Sequence, residues 1–153
     1  MRILTSLATV LMMLLQVPAL ADDAALDNLM AEYWSHYLER YPVAATRVGV
    51  NEYNDRFANV TPAALDAYRE TEEAFRRRLR DIDADALSTS GRVNAEVFGW
   101  VLDDSIKADK LGLYRIPFNT FSGFYMNALT AANGVRMTTA ADYEDYLARL
   151  RDL

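Results

Sequence analysis

Few side chains in this sequence could perform acid–base, nucleophilic or metal chemistry. The chain has one histidine, His36, and no cysteine among its 153 residues. Zinc sites draw several ligands from histidine, cysteine and acidic residues, so His36 cannot form a multi-histidine site by itself. It lies about 100° around a predicted helix from the centre of the apolar stripe. This boundary position is typical of a structural histidine, with a ligand or catalytic role as the alternative.

The acidic residues and the serine next to a glycine do not form a recognisable catalytic site either. Ser122 precedes Gly123, but the G-x-S-x-G pattern is absent and no neighbouring base would activate the hydroxyl. Three acidic groups have no histidine at ligand spacing and are expected to face solvent: Asp22-Asp23, Asp103-Asp104, and Asp142 with Glu144 and Asp145. The sequence therefore predicts no catalytic residue, metal ligand or cofactor site in this chain.

Aromatic residues concentrate between residues 111 and 125, in LGLYRIPFNTFSGFY. Pro117 and Gly123 interrupt the helical period, which predicts an extended, ordered segment followed by a short helix through Ala132. The residues that could line a substrate groove are Tyr114, Phe118, Asn119, Phe121, Ser122 and Phe124. The alternative is that these aromatic side chains pack an ordered connection against the helices.

Residues 1–21 have the pattern of a secretory signal peptide. Arg2 precedes a mostly apolar run over residues 3–17, Pro18 ends that run, and Ala19 and Ala21 occupy the positions that a signal peptidase reads. The run is shorter than the roughly 20 residues that a spanning helix needs, so a retained membrane anchor is the less favoured alternative. We therefore predict cleavage after Ala21 and an exported protein, periplasmic or secreted, without a stable membrane anchor.

Composition and charge narrow the possible partners. The net charge is −6, and loss of Arg2 with the signal peptide would make it −7. An acidic surface repels nucleic acid, so nucleic acid is not an expected partner. With 52% hydrophobic and 11% aromatic residues, the chain has enough apolar surface for a core. Without disulfides, that core must rest on packing or on contacts with a further part of the chain.

Hydrophobic periodicity predicts an all-α fold. Helices are expected over residues 23–40, from Pro62 to about residue 82, over residues 89–110 and after Thr139, with a short helical turn within 43–49. Thr61 and Thr139 are the predicted N-caps, the latter with Asp142 in a capping box. Glu72 and Glu73 are expected to pair with Arg76 and Arg77 on a solvated helix face.

Two helices have more apolar surface than a small bundle can cover. One face of the third helix has Val93, Val97, Trp100, Val101 and Ala108, and its second face has Phe98, Leu102 and Ile106. The apolar stripe of the final helix is Tyr143, Tyr146, Leu147, Leu150 and Leu153. We expect the second face of the third helix and the end of the final helix to need a further partner. This predicts that residues 22–153 are a truncated, loosely packed part of a larger domain.

Several short segments together resemble the opening part of the bacterial DUF885 family. They are Trp34 and Leu38, YPVAATRVG at 41–49, YNDR at 53–56, Leu87-Ser88, PFNTFSG at 117–123 and DYEDYLARL at 142–150. Thr120 departs from the family pattern, in which a glutamine is expected.

The resemblance implies that residues 22–153 form the amino-terminal helical part of a large, mainly helical, zincin-like metallopeptidase. Such enzymes bind zinc through an H-E-x-x-H helix and a later acidic ligand, and the motif glutamate activates water. That helix would follow Leu153, so this fragment alone is expected to be inactive and to hold no zinc. Its expected partners are the missing carboxy-terminal part of the same domain and a peptide substrate. The alternative is a stand-alone exported helical module that binds a partner through an exposed aromatic face.

Overall fold

The computed structural model describes residues 17–116, 125–126 and 132–152. Within this part of the chain there is no strand, and the predicted all-α fold class is confirmed. The helices are α1 (Val17–Arg40), α2 (Pro42–Arg47), α3 (Pro62–Arg80), α4 (Thr89–Lys110) and α5 (Ala140–Arg151), with 3-10 turns at Ala84–Ala86 and Leu113–Arg115. None of the helices in the described residues is long and apolar enough to cross a membrane.

Residues 1–16 of the predicted signal peptide lie outside the described residues. The predicted cleavage residues Ala19 and Ala21 lie in the first turns of α1.

Local capping signals set the helix boundaries. Thr61 Oγ1 accepts a hydrogen bond from Ala64 N at 3.4 Å, as predicted for the start of α3. At the start of α5, Thr139 Oγ1 accepts from Asp142 N and the Asp142 carboxylate accepts from Thr139 N at 2.7 Å. The predicted capping box is therefore confirmed. The backbone N of Thr138 also donates to the Asp142 carboxylate, at 2.8 Å. The hydrogen bonds from Thr138 N and then Thr139 N hold the pKa of Asp142 below its usual value.

The segment after α4 differs from the extended conformation that was predicted. Gly112 adopts a left-handed conformation with φ +67°, and a 3-10 turn at Leu113–Arg115 follows. Gly112 reverses the chain at the end of α4, because a glycine has no Cβ to oppose this backbone conformation.

The described helices divide between two compact units. The first unit consists of residues Met1–Glu32 and Thr71–Ile106, and its core is almost entirely apolar. Its buried side chains include Leu26 and Leu29 of α1, Phe75 and Leu79 of α3, Leu87, and Phe98, Leu102 and Ile106 of α4.

The prediction of which face of α4 needs a further partner was wrong. Phe98, Leu102 and Ile106 are buried, whereas Val97 is 57% exposed and Trp100 is 69% exposed. Gly91 and Gly99 are also buried on the Phe98 side of α4. Gly91 allows Asp23 and Leu87 to approach the α4 backbone closely on this face, which a bulkier residue would prevent.

The second unit consists of residues Tyr33–Glu70 and Lys107–Leu153, and polar groups make up much of the interior formed by its described residues. Its buried apolar residues include Leu38, Pro42, Val43, Ala45 and Leu65. Its buried polar residues are Arg40, Thr46, Asn54 and Arg149. Arg40 forms an ion pair with Asp109 at 3.1 Å, which partly compensates the burial of its charge.

Candidate functional site

Arg149 of α5 is the centre of a buried polar cluster in the second unit. Its side chain is fully buried, at 0% exposure. Its Nη2 donates to Thr46 Oγ1 at 2.8 Å, to the Tyr53 carbonyl oxygen at 2.8 Å and to Asn54 Oδ1 at 3.4 Å. All three acceptors are neutral, so dipoles stabilise the guanidinium charge at these contacts. We call Arg149, Thr46, Tyr53 and Asn54 the arginine cage.

Helix α2 and the turn after it supply the acceptors of the arginine cage. Thr46 Oγ1 lies 2.6 Å from Asn54 Oδ1 and 3.1 Å from the Pro42 carbonyl oxygen. A hydroxyl has one proton, so Thr46 donates to one of these two oxygens at a time. Asn54 Nδ2 donates to Asn51 Oδ1 at 3.1 Å, which fixes the orientation of the Asn54 amide. These contacts hold two of the three acceptors, Thr46 Oγ1 and Asn54 Oδ1, in place for Arg149.

A glycine C-cap brings the Asn51–Asn54 turn close to α2. Gly49 has φ +87°, and Val50 N donates to the Ala45 carbonyl oxygen at 2.9 Å. This pattern of a left-handed glycine after the last helical residues is a common way to end a helix and reverse the chain.

Nearby charges have a smaller influence on Arg149 than its burial does. Burial lowers the pKa of Arg149, and the charge of Asp55 opposes that shift. Arginine's ordinary pKa lies far above neutral, so Arg149 stays protonated at neutral pH. Asp55 itself is bound by Arg56, whose hydrogen bonds hold the pKa of Asp55 below its usual value. The arginine cage is enclosed and its role is structural: it fixes α5 to the YPVAATRVG and YNDR segments.

A second contact fixes the end of α5. The Asp152 carboxylate accepts a hydrogen bond from the Phe57 backbone N at 2.8 Å. Arg149 and Asp152 are three residues apart, so both lie on the same side of the chain as it leaves α5.

Only one residue of the predicted aromatic groove falls in the described part of the chain. Tyr114 lies in the 3-10 turn, 44% exposed, and its hydroxyl accepts a hydrogen bond from Arg115 Nε at 3.3 Å. It borders a cleft of about 420 Å³ that is also lined by Asp109 and Arg69. The other predicted residues, Phe118, Asn119, Phe121, Ser122 and Phe124, lie outside the described residues, so the groove stays a prediction.

His36 lies in an aromatic cluster of the second unit. Its ring meets Tyr68 edge-on at a centroid distance of 5.9 Å, and Tyr33 lies at 6.4 Å. Burial, and then the charge of Arg40, lowers the pKa of His36.

The described residues do not fit the zinc that the resemblance implies for the parent enzyme. They contain no group of three or more histidine, cysteine, aspartate or glutamate side chains that could hold a metal ion. The ring of the single histidine, His36, packs against the rings of Tyr33 and Tyr68.

We expect the environment of His36 to make the stability of the chain depend on pH. The unfolded chain takes up a proton near pH 6.5, while the folded chain resists it to a lower pH because the pKa is lowered. The free energy of unfolding should therefore be highest above about pH 6.5 and fall as the pH drops below it. Urea unfolding at about pH 7.5, 6.5 and 5.5 measures this, with His36→Gln as the control. An equal fall in His36→Gln would contradict the assignment to this imidazole.

An open groove lies in the first unit, between the end of α3, the 3-10 turn after it and α4. Its volume is about 570 Å³. Leu79, Leu87 and Gly99 line its apolar side, and they are buried. Further apolar residues, charged residues and the exposed ring of Trp100 complete its lining. We call it the α3–α4 groove.

Sequence reasoning missed several residues that organise these sites. Arg149 was not singled out, and Glu72, expected on a solvated face, is only 2% exposed. Asp23, expected to face solvent, accepts a hydrogen bond from Ser88 N at 3.1 Å. Arg76, expected to pair with Glu72, instead donates to the Asp103 carboxylate at 2.7 Å and 2.9 Å. The position of Arg149, three residues after Tyr146 in an amphipathic helix, was the signal available for its burial.

Comparison with known proteins gives one positive result. The model of the family described as "Bacterial protein of unknown function (DUF885)" matches residues 42–153. Neither the curated proteins nor the solved structures contain a significant match to the chain. The matched range includes every residue of the arginine cage and all of α2, α3, α4 and α5. Because the match extends over well more than half of its length, the chain belongs to the DUF885 family of bacterial proteins.

Proposed function

We propose that this chain is the amino-terminal helical part of an exported, zinc-dependent peptidase and that it forms one wall of the parent's substrate channel. The observation that supports this proposal is the orientation of α5. An amphipathic helix normally buries its apolar stripe, but α5 buries Arg149 and exposes Tyr143, Leu147 and Leu150. These three exposed residues follow the i, i+4, i+7 spacing of one helix face.

The arginine cage provides the physical reason for this orientation. Arg149 lies about 120° around α5 from Tyr143, so fixing the guanidinium inside the second unit directs the apolar stripe outward. Exposed apolar faces of this kind mark interaction surfaces more often than isolated apolar residues do. The proposed partner of the stripe is the carboxy-terminal part of the same domain.

The peptidase activity is assigned to the parent through the family resemblance. The parent's zinc ligands and its H-E-x-x-H helix are proposed to follow Leu153, since residues 22–153 offer no comparable donor set. In that arrangement the chain positions substrate and excludes water, while the bound zinc would supply Lewis-acid activation of water. No residue of this chain is assigned to a chemical step.

A second candidate is a stand-alone exported helical module that binds a protein partner. The exposed tryptophans, Trp34 at 48% and Trp100 at 69%, favour it, because tryptophan is enriched at interaction surfaces. The two candidates differ in what covers the α5 stripe: a later part of the same polypeptide, or a separate protein.

Expression of the native gene in its own host tests both the export and the enzyme assignment. The protein is expected in the periplasmic or secreted fraction. Mass spectrometry of that fraction is expected to find Asp22 as the protein's first residue. The polypeptide is expected to continue past Leu153 into an H-E-x-x-H segment, and its peptidase activity is expected to be lost with a zinc chelator. An intact Met1 in the membrane fraction would contradict export. A native polypeptide that ends at Leu153 would favour the binding module.

A further inference from the structure

The α3–α4 groove has a chemical character that differs from the rest of this acidic chain. Its charged lining is Arg76, Arg80 and Arg92 against Glu96 and Asp103, an excess of one positive charge in a chain of net charge −6. Arg76 binds Asp103 through two hydrogen bonds. These bonds, and to a smaller extent the charge of Arg80, lower the pKa of Asp103. The basic excess therefore marks the groove as a place where an anion is favoured.

The apolar side of the groove is formed without polar side chains. Leu79 and Leu87 are buried beneath it, and Gly99 contributes only backbone. A Cβ added at Gly99 would meet Leu79 Cδ2 at 3.5 Å and Arg76 Cζ at 3.7 Å, which are ordinary contacts. Packing therefore does not require glycine at this position, although glycine in a helix interior costs about 0.5–1 kcal/mol relative to alanine. The missing side chain leaves the groove open.

We propose that the α3–α4 groove binds a medium-chain aliphatic carboxylate, with the alkyl chain against Leu79, Leu87 and Gly99 and the carboxylate at the arginine rim. The volume of about 570 Å³ lies within the roughly 300–1,000 Å³ range of small-molecule sites. A peptide is disfavoured as the occupant, because its backbone amides would lack partners along the apolar side. An alkyl chain has no such groups, and guanidinium is a good partner for carboxylate.

Trp100 makes the proposal directly measurable. The chain has two tryptophans, Trp34 and Trp100, and Trp100 lines the groove. In a Trp34→Phe variant of the full chain, Trp100 is the only tryptophan, so its fluorescence reports on the groove alone. Titration with sodium decanoate, at concentrations where it is monomeric, is expected to give a saturable change in that fluorescence.

Three variants in this background separate groove binding from general surfactant binding. Gly99→Leu fills the groove and is expected to abolish the saturable change. Arg92→Glu reverses one exposed rim charge and is expected to weaken binding about fivefold to tenfold, the effect of roughly 1 kcal/mol. Arg77→Glu is the matched control, since Arg77 is exposed on the same helix as Arg76 but does not line the groove. Arg77→Glu is expected to bind decanoate with the same affinity as the Trp34→Phe variant alone.

The opposite results would overturn the proposal. Equal binding of decyltrimethylammonium, which has the same chain and a positive head group, would show that the groove does not select an anion. The same response from Trp34 in a Trp100→Phe variant would show nonspecific surfactant binding. Unchanged decanoate affinity in Arg92→Glu would show that the arginine rim does not bind the carboxylate. Circular dichroism shows whether Gly99→Leu folds, and if it does not, the surface substitution Arg92→Glu still tests the proposal.

Discussion

Replacing Arg149 by methionine is expected to lower the free energy of unfolding by about 2–4 kcal/mol. Methionine fills similar space but donates no hydrogen bond, so the Tyr53 carbonyl oxygen and Asn54 Oδ1 lose a charged donor inside the second unit. A buried group left without its partner costs about 1–3 kcal/mol, and hydrogen bonds to charged groups contribute about 1.5–3 kcal/mol. Urea unfolding followed by circular dichroism measures the change.

A double-mutant cycle with Thr46→Val tests whether the loss arises in the arginine cage. Valine keeps the shape of threonine but removes the hydroxyl that accepts from Arg149 Nη2 at 2.8 Å. The two losses should add to clearly more than the loss in the double variant, because each single variant already breaks the shared contact. Arg151→Met is the matched control on the same helix, since Arg151 is exposed, and it is expected to be near neutral. Additive losses would show that Arg149 acts elsewhere.

Replacing Gly91 by alanine is expected to destabilise the first unit by about 1–2 kcal/mol, the cost of a lost helix cap. An added Cβ would collide with Asp23 Oδ1 and lie 3.3 Å from Leu87 Cβ. The Asp23 carboxylate is held there by Ser88 N at 3.1 Å, and Ser88 Oγ in turn accepts from Gly91 N at 3.0 Å. The alanine therefore disrupts the capping of α4 by a residue of α1.

Gly99→Ala is the matched control for this prediction. Both glycines are buried on α4, but alanine at position 99 makes only ordinary contacts and is expected to be neutral or stabilising by about 0.5–1 kcal/mol. In an Asp23→Ala background the collision with the carboxylate is absent, so the cost of Gly91→Ala should shrink. Thermal unfolding of Gly91→Ala, Gly99→Ala, Asp23→Ala and the double variant Asp23→Ala/Gly91→Ala measures both effects. Equal costs at positions 91 and 99 would contradict the role of Asp23.

The helices could be predicted because their signals are local. Thr61-Pro62, and Thr139 with Asp142, fixed the starts of α3 and α5, and the apolar period gave the extent of α4 from 89 to 110. Such signals act within one turn of helix, so they need no knowledge of the tertiary contacts.

The choice between helix faces depended on tertiary contacts, which periodicity does not contain. Both faces of α4 are apolar, and the face that packs inward is the one that includes Gly91, which lies against Asp23 and Leu87. In α5 the hydrogen bonds from Arg149 to Thr46 and Tyr53 span about a hundred residues of sequence. Arg149 lies about 100° around α5 from the centre of the predicted apolar stripe, so periodicity alone did not predict its burial.

The different interiors of the two units imply different responses to temperature. Exposing apolar surface on unfolding raises the heat capacity, whereas exposing polar surface lowers it. Among the described residues, the first unit buries mostly leucine and phenylalanine, while the second buries Arg40, Thr46, Asn54 and Arg149 beside a smaller set of apolar side chains. The stability curve of the first unit is therefore the more strongly curved. Cooling therefore weakens the apolar packing of the described part of the first unit more than it weakens the hydrogen bonds of the arginine cage.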